Sequence, residues 1–191
     1  MARPRTFDPD DILDVARDVF WRKGFQGASL DDITAESGLT KPSLYAAFGD
    51  KTSLYLKVLD RYHSFLLNEA RHALSCDEPA RAAIESWLIG FVPRCSGTKG
   101  RRGCLSVNTS TDGALDQAEV RKSVRRFNSQ LEDLIQSRLE ADRGQFSEGF
   151  DPAAVAQTIL AVYSGLMVQA RQAPEAKTVK TVIGQITKLL A

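Results

Sequence analysis

The sequence predicts an all-α protein with a small helical domain at residues 1–52 and a larger helical domain at residues 53–191. Apolar residues recur at intervals of three and four, as on one face of an α-helix, and no segment shows the sustained alternation of a β-strand. Prolines and glycines fall between these periodic segments. In addition, a helix, a glycine turn and a second short helix follow one another in "SLDDITAESGLTKPSLYAAFGDK" at residues 29–51.

The composition predicts a soluble globular protein, since 43% of the 191 residues are hydrophobic, 26% are charged and the net charge is +1. We expect no window to be apolar for long enough to span a bilayer, and "MARPRTFDPDD" lacks the apolar run of a secretory signal after its arginines. A cytoplasmic location without a membrane partner follows. Cys76, Cys95 and Cys104 are odd in number and lack zinc-ligand spacing, so we expect free thiols and neither a metal nor another cofactor.

Three helices are predicted in the small domain. The first runs from Asp8 to Gly24 with apolar residues along one face. The second begins at Ser29, whose hydroxyl can cap it, and carries acidic residues in its first turn, where they favour a helix N-terminus. Gly38 ends the second helix and Thr40 caps the third. The pattern is that of a helix-turn-helix.

The third helix has an apolar face and a polar face. Leu44 and Phe48 are expected to point inward, which leaves Lys41, Ser43 and Tyr45 outward near the helix start. An ammonium, a hydroxyl and a phenol suit phosphates and base edges at the start of a helix in the DNA major groove. On spacing alone, a polar face that is merely solvated remains an alternative. The domain is net negative, so any attraction to DNA depends on where its basic side chains gather.

A resemblance to a known family covers about the first 55 residues. It rests on Ala16, Phe20, Gly24, Phe25, Ser29, Leu30, Ile33, Ser37, Gly38, Leu39, "TKPSLYAAFGDK" and Leu54, a pattern that resembles the DNA-binding domain of the TetR family of bacterial regulators. The resemblance implies a recognition helix at residues 40–45 and a backbone contact at the start of the next helix. Ala47 stands where many relatives have histidine, which puts a phosphate contact there in doubt. The predicted DNA-binding residues are Arg3, Arg5, Ser29, Thr40, Lys41, Pro42, Ser43, Tyr45 and Lys51.

The large domain is predicted to be a bundle of long helices. One helix runs from about Ser53 to Cys76, and a second from Pro79 until Pro93 ends it. A basic, glycine-rich loop, "RCSGTKGRRG", and the short apolar stretch "CLSVNTSTD" precede a long helix at about residues 115–142. Two further helices follow in "DPAAVAQTILAVYSGLMVQARQ" and "EAKTVKTVIGQITKLL".

The helix at residues 152–170 is apolar nearly all round, so it must be covered on two sides. Its own core covers one side, and a second copy of the chain is the simplest cover for the other. The resemblance implies that the last two helices form a four-helix interface in a homodimer. A single larger core remains the alternative. The predicted interface residues are Val155, Ile159, Val162, Leu166, Val182, Ile186 and Leu189.

No catalytic set emerges from the sequence. His63 and His72 lie nine residues apart on one helix and are expected to be partly exposed. A phosphate-binding loop, a nucleophile elbow and a zinc signature are absent from the sequence. The two alternatives of another class are a thiol enzyme built on Cys104, which has no general base near it in sequence, and a purely structural bundle. We therefore predict a protein that is not an enzyme.

Cys104 is a candidate switch. It follows Arg101 and Arg102 and is expected to start a short helix, and both features favour a thiolate. "GCLSVN" also resembles the corresponding stretch of TetR-type regulators, some of which sense electrophiles or oxidants through a cysteine near this point. The alternative is a buried cysteine that acts as a small hydrophobe. Cys95 is a candidate partner across the loop.

Taken together, these features predict a homodimeric transcription regulator that binds double-stranded operator DNA. We expect a repressor that a small-molecule effector releases from a palindromic operator, with modification of Cys104 as the alternative switch. Activation instead of repression stays open, as does the identity of the effector. The candidate pocket residues, each of which also fits plain core packing, are Phe65, Trp87, Phe91, Cys104, Asn108, Phe127, Tyr163 and Met167.

Overall fold

A computed structural model describes residues 7–190, apart from the side chains of Lys99 and Leu189. These residues form helices joined by short connections and contain no strand. The predicted all-α fold class is therefore confirmed. Three of the residues predicted to have a function, Arg3, Arg5 and Leu189, lie outside this description.

Eleven α-helices follow one another in the described chain. They are α1 (Pro9–Gly27), α2 (Leu30–Ser37), α3 (Lys41–Phe48), α4 (Lys51–Leu74), α5 (Ala80–Ile89), α6 (Val92–Cys95), α7 (Gly97–Gly100), α8 (Leu105–Thr109), α9 (Ala118–Ala141), α10 (Pro152–Gln169) and α11 (Ala176–Ile186). Four 3-10 turns accompany them, at Ala114–Asp116, Arg143–Gln145, Ala170–Gln172 and Thr187–Leu190. We call α1 to α3 the head, and α4 to α11 the body.

Local capping explains the head helices. Ser29 and Asp32 form a capping box at the start of α2, and Gly38 ends α2 in a left-handed conformation with φ 71°. Thr40 caps α3 by accepting a hydrogen bond from the backbone N–H of Ser43. The predicted caps at Ser29 and Thr40 are thus confirmed, and they fix the turn between α2 and α3.

Helix α4 joins the two parts of the molecule. Its first half contributes Leu54, Tyr55 and Leu59 to the head core, and its second half contributes Leu67 and Leu74 to the body core. The head core also takes up side chains of α8 and α9. A domain boundary after residue 52 stays a prediction, and the packing continues without a gap across it.

The body core lies among α4, α5, α9, α10 and α11. Two expectations are wrong here. The second body helix ends at Ile89 rather than at Pro93, because Pro93 lies in the first turn of a separate short helix, α6, where proline is tolerated. His63 is only 5% exposed rather than partly exposed, because α8 and α9 cover it.

The segment Pro152–Gln172 is long and apolar enough, by length and composition, to cross a membrane, so the expectation that no segment reaches that length is also wrong. The core helix of a soluble protein passes the same test. Ile159, Tyr163, Leu166 and Met167 from this segment are buried in the body core. No membrane protein is indicated.

Candidate DNA interface and head–body cleft

The predicted recognition helix exposes the side that the sequence indicates. Leu44 and Phe48 are 0% and 5% exposed and pack in the head core, as predicted. On the opposite side, Lys41 and Pro42 are exposed and Tyr45 is 51% exposed, an unusual degree for a large aromatic side chain. The start of α3 therefore presents a phenol and an ammonium to solvent beside two hydroxyl groups.

The hydroxyl groups of Ser29, Thr40 and Ser43 already form hydrogen bonds at the starts of α2 and α3. Ser29 Oγ donates to Asp32 Oδ2 over 2.9 Å and accepts from the Asp32 N–H over 3.2 Å. Thr40 Oγ1 lies 2.9 Å from Ser43 Oγ. Hydrogen bonds from Lys23 and from the Ser29 backbone lower the pKa of Asp32 to about 2. Contacts of Ser29, Thr40 and Ser43 to DNA stay predictions, because each hydroxyl has a structural role as well.

Lys41 is held by a carboxylate of the preceding helix. Its Nζ lies 2.6 Å from Asp31 Oδ1, and this hydrogen bond raises the pKa of Lys41. Both side chains are more than half exposed, so the pair contributes little to stability and can exchange partners. A phosphate oxygen that approaches Lys41 would compete with Asp31.

Lys51, the first residue of α4, points back toward the end of α1. Its Nζ lies 4.6 Å from the centre of the Phe25 ring and 3.5 Å from the carbonyl oxygen of Gln26. Burial lowers its pKa. The side chain must therefore turn outward before it reaches a DNA backbone, and that contact stays a prediction.

Two adjoining cavities lie where α1 meets the body. The outer cavity has a volume of about 420 Å³, and it is lined by Leu13, Asp14, Arg17, Trp21, Val58, Arg61, Tyr62, Phe65 and Arg94. The inner cavity, of about 150 Å³, shares Trp21, Tyr62 and Arg94 with it and continues to Phe91, Cys104, Tyr163 and Met167. We call the two together the head–body cleft. It joins α1 of the head to α4, α6 and α10 of the body.

The cleft brings together five of the eight predicted pocket residues. Phe65 lines the outer cavity and is 53% exposed, while Phe91, Cys104, Tyr163 and Met167 line the inner cavity. The remaining three lie outside the cleft: Asn108 and Phe127 line two other pockets, Trp87 packs in the body core, and ligand binding by these residues stays a prediction. Trp87 packs edge-on against Phe91 at 5.0 Å, Phe127 stacks on His63 at 4.3 Å, and Asn108 donates to the Arg102 carbonyl oxygen over 2.8 Å.

Sequence reasoning missed Trp21, Tyr62 and Arg94 as lining residues of the cleft. Trp21 is a large aromatic residue next to the predicted apolar face of α1, which was the available signal, and the structure leaves it only partly buried. Tyr62 is a partly buried residue of α4 that packs against both cores. Arg94 was part of a loop described only as basic, and tertiary packing alone shows that it faces α4.

Cys104 forms the inner wall of the cleft. It immediately precedes α8, which confirms the predicted helix start, and it is 1% exposed. The Tyr62 hydroxyl donates to its Sγ over 3.6 Å, and burial raises the pKa of Tyr62 well above its ordinary value. Burial also raises the pKa of the Cys95 thiol to about 11, which disfavours a reactive thiolate at that position.

The arginines next to Cys104 in sequence do not surround its thiol. Arg102 pairs with Asp18 of α1 at 3.0 Å, and its guanidinium lies 4.7 Å from the centre of the Trp21 ring. The indole N–H of Trp21 donates to the Arg102 carbonyl oxygen over 2.8 Å. Arg101 is exposed. Arg102 and Trp21 thus fasten the loop before α8 to the head.

A second fastening lies beside Gly24. This glycine has φ 73°, a conformation that other residues rarely adopt, and a Cβ there would meet Asp112 Oδ2 at 3.2 Å. The turn aims the Phe25 N–H at Asp112, which accepts it over 2.7 Å. Nearby, Tyr55 and Thr109 join α4 to α8 through a buried hydrogen bond of 2.7 Å between their hydroxyl groups.

The predicted dimer face requires a correction. Ile159 is 0% exposed, and Leu166 and Ile186 are each 6% exposed, because all three fill the chain's own core. Val155, Val162 and Val182 are partly buried at the margin of that core. The outward side of α10 carries small residues and one valine at successive helical turns: Ala154, Thr158, Ala161, Gly165 and Val168. We call these five residues the α10 face.

Comparisons with known proteins agree with this architecture. The family model for bacterial regulatory proteins of the tetR family matches residues 12–58, and the model for the tetracyclin repressor-like C-terminal domain matches residues 80–185. The TetR family transcriptional regulator CifR, in a cysteine mutant bound to 26-bp double-strand operator DNA, is 30% identical. The match covers 98% of each chain with a TM-score of 0.87.

Two other comparisons extend this result. The HTH-type transcriptional repressor ComR of Escherichia coli K12 is 26% identical over 191 residues, which cover 98% of this chain and 91% of ComR. The reduced form of E. coli NemR is 19% identical with a TM-score of 0.84 over 94% of each chain, and it shows the fold alone.

Proposed function

The chain belongs to the TetR family of bacterial regulatory proteins and is a DNA-binding transcription regulator, and from that premise we propose that it is a cytoplasmic, homodimeric repressor that a small-molecule effector releases from a palindromic operator. Proteins of this family are generally not enzymes. The observation that carries the proposal is the exposed start of α3, in a chain that aligns over 98% of its length with a regulator solved on operator DNA. The name of ComR as a repressor supports the direction of control.

The head supplies the contacts to DNA in this proposal. Tyr45 and Lys41 reach phosphates on either side of the groove, and the start of α3 lies against the base edges. Asp31 gives up Lys41 to a phosphate when DNA binds, since the exposed pair is weak in water. Phosphate contacts fix the register of α3, and only contacts to base edges distinguish one sequence from another.

The body forms the two-fold symmetric dimer in this proposal. A palindromic operator needs two heads related by a two-fold axis, one for each half-site. The α10 face supports this arrangement, because small side chains on successive turns let a second helix approach closely and Val168 is 48% exposed. Together with the partly buried Val182 of α11, it forms our candidate for the dimer interface.

In this proposal, the fastenings between head and body transmit the effect of ligand binding to the DNA-binding surface. The bonds of Trp21 and Asp18 with Arg102, and of Phe25 with Asp112, tie α1 to the loops on either side of α8. An effector that binds one arrangement of these contacts better than another moves the population toward it. Operator affinity then changes by the same coupling factor.

Modification of Cys104 is a second candidate switch. The observation that favours it is the position of Sγ in the wall of the inner cavity, within hydrogen-bonding distance of the Tyr62 hydroxyl. A group added to this sulfur has to displace cavity-wall side chains, because the thiol is 1% exposed. The test compares operator release by peroxide and by a small quinone in wild type and Cys104→Ser; equal release in both proteins would exclude this switch.

Selection of bound sequences from random double-stranded DNA tests the proposed function itself. The full-length protein should enrich a sequence with two inverted half-sites. A variant with Tyr45→Ala and Lys41→Ala should enrich none, while Lys122→Ala, which removes an exposed lysine from α9 of the body, should enrich the same sequence as wild type. Lack of any enriched sequence with the wild-type protein would contradict the proposal.

A further inference from the structure

We propose that the outer cavity of the head–body cleft binds a compact organic anion with a flat apolar body, of the aryl carboxylate class, and that this ligand is the effector. The inference rests on the proposed regulatory function and names a site and a ligand class for it. The cavity volume of about 420 Å³ is within the range of small-molecule sites, and the lining combines aromatic rings with guanidinium groups.

Aromatic side chains form the wall for the flat body. Trp21 of α1 and Tyr62 of α4 meet edge to face, with 5.2 Å between ring centres and an angle of 72°. Phe65 stands at the rim with half of its surface exposed, and Leu13 and Val58 complete the apolar surface. A planar ring placed against Trp21 and Phe65 would bury apolar area that is now in contact with water.

Guanidinium groups outnumber carboxylates among the residues that line the outer cavity. Three guanidinium groups, of Arg17, Arg61 and Arg94, face the cavity with the carboxylate of Asp14. All three guanidinium groups are already paired with carboxylates, so a ligand has to take one over from its present partner, which a ligand carboxylate does better than a neutral or cationic ligand. A carboxylate can accept two parallel hydrogen bonds from one guanidinium, which makes arginine well suited to recognise it.

Present partners of these arginines are carboxylates near the surface. Arg94 lies 2.7 Å from Glu69, and Arg61 lies 2.8 Å from Asp10 and 3.5 Å from Asp14. Arg17 lies 2.8 Å from Asp14 and 3.2 Å from Asp18. The side chains in these pairs are 35–69% exposed, so each pair is weak and exchangeable. Every guanidinium also has five N–H donors, more than its present partners occupy.

The site is placed to control the head. Arg61 of α4 pairs with Asp10 and Asp14 of α1, so a ligand carboxylate that takes over Arg61 removes a connection between head and body. A ring stacked on Trp21 also meets the side chain that holds Arg102. Occupation of the outer cavity therefore acts on two fastenings of α1 at once, and the angle of the head relative to the body changes.

The experiment uses 2-naphthoate as the probe and 2-naphthamide as its neutral match. Binding to the full-length protein is followed by calorimetry and by tryptophan fluorescence, since Trp21 lies in the wall. We expect saturable binding of the acid, and about tenfold weaker binding of the amide, because a charge-assisted pair is roughly twice as strong as a neutral hydrogen bond.

Matched variants locate the site. Phe65→Ala and Arg94→Gln should each weaken binding of the acid about tenfold, and Arg94→Gln should remove most of the difference between acid and amide. Ile89→Ala, at another exposed apolar side chain, and Arg126→Gln, at another exposed arginine paired with α4, should change neither. Circular dichroism shows whether each variant is folded.

Operator binding without the probe separates the two proposals. If the ligand-free protein binds its selected operator and 2-naphthoate lowers that affinity at least threefold in wild type but not in Arg94→Gln, the inference holds. Equal binding of acid and amide, no saturable binding at millimolar acid, or unchanged operator affinity with the site occupied would each overturn it, while operator binding itself would stand. A protein that binds the acid but no DNA would instead contradict the proposed function.

Discussion

The head and the body of this protein are both helical, but they differ in how they bury polar side chains and in how completely their helices pack. In the head, apolar side chains face one small core, and around α3 the polar side chains of Ser29 and Thr40 cap helices while Lys41 pairs with Asp31. The body instead buries polar groups, among them His63, Ser106 and Thr109, and a cleft lies where the body meets α1 of the head. The packed core of the head can present a fixed surface to DNA, whereas the incompletely filled junction between the head and the body can respond to a ligand.

The largest expected effect concerns the two sides of α10. Gly165→Glu places a carboxylate on the α10 face, and it should split the dimer while leaving the protomer folded, because this position is exposed. Operator affinity should fall by about a hundredfold or more, since a single head makes half of the contacts. Sedimentation measures the dimer, and anisotropy measures operator binding.

Leu166→Glu, one residue further along the helix, is the matched contrast. Leu166 is 6% exposed and belongs to the body core, so the same charge should unfold the chain rather than split a folded dimer. Thermal unfolding separates the two outcomes. A folded Leu166→Glu monomer, or a Gly165→Glu dimer as tight as wild type, would show that the two sides of α10 are assigned the wrong way round.

Burial of His63 gives the next effect, a loss of stability below pH 6.5 that arises in the body. Burial, with a smaller contribution from the charge of Arg126, lowers the pKa of His63 to about 4. The unfolded chain therefore takes up this proton first as the pH falls below 6.5, and stability is lost between pH 6.5 and 4 while it is intact above that window. The loss is on the order of 3 kcal/mol.

Chemical unfolding at a series of pH values tests this prediction. His63→Gln should be less stable than wild type at pH 7, and its stability should fall less steeply between pH 6.5 and 4. His72→Gln is the control, since His72 lies on the same helix but is exposed. Identical pH profiles for wild type and His63→Gln would mean that the buried imidazole does not titrate in this window.

A smaller effect is expected at the DNA-binding surface. Tyr45→Phe removes one hydroxyl from an exposed side chain and should weaken operator binding by about three- to tenfold. Since a phosphate contact carries no base information, binding to unrelated DNA should weaken by the same factor. Anisotropy with both DNAs measures this, and a loss confined to the operator would assign Tyr45 to a base edge instead.

The smallest expected effect is an increase in operator affinity. Asp31→Asn frees Lys41 and removes a negative charge near the phosphates, so operator affinity should rise by about two- to threefold at physiological salt. Asp133→Asn removes an exposed charge from α9 and should leave affinity unchanged. Weaker binding by Asp31→Asn would show that the ion pair positions Lys41 for its contact rather than competing with it.

The same contrast explains how much the sequence could predict. The caps at Ser29 and Thr40, the inward Leu44 and the outward Tyr45 follow from interactions within a few residues, so sequence spacing is enough to predict them. In the body, the apolar residues of α10 surround the helix, and their spacing cannot tell that Ile159 faces the core while Gly165 faces outward.

The cleft was predicted only in part for the same reason. Phe91, Cys104, Tyr163 and Met167 were candidates because they are aromatic or soft side chains in the body, but the partners that give the cleft its charge come from distant parts of the chain. Trp21 and Arg94 meet only after α1 docks on α4. Likewise, the proximity of Arg102 and Cys104 in sequence suggested a cation beside the thiol, whereas the guanidinium turns to Asp18 of the head.

Operator recognition depends most directly on two heads that one dimeric body holds in fixed register. Operator binding by the full-length protein should therefore be measured for the selected palindrome and for a version with five base pairs inserted between its half-sites. The insertion is about half a helical turn and moves one half-site to the opposite side of the DNA, so affinity should fall to that of a single half-site. Equal affinity for both DNAs would contradict the account.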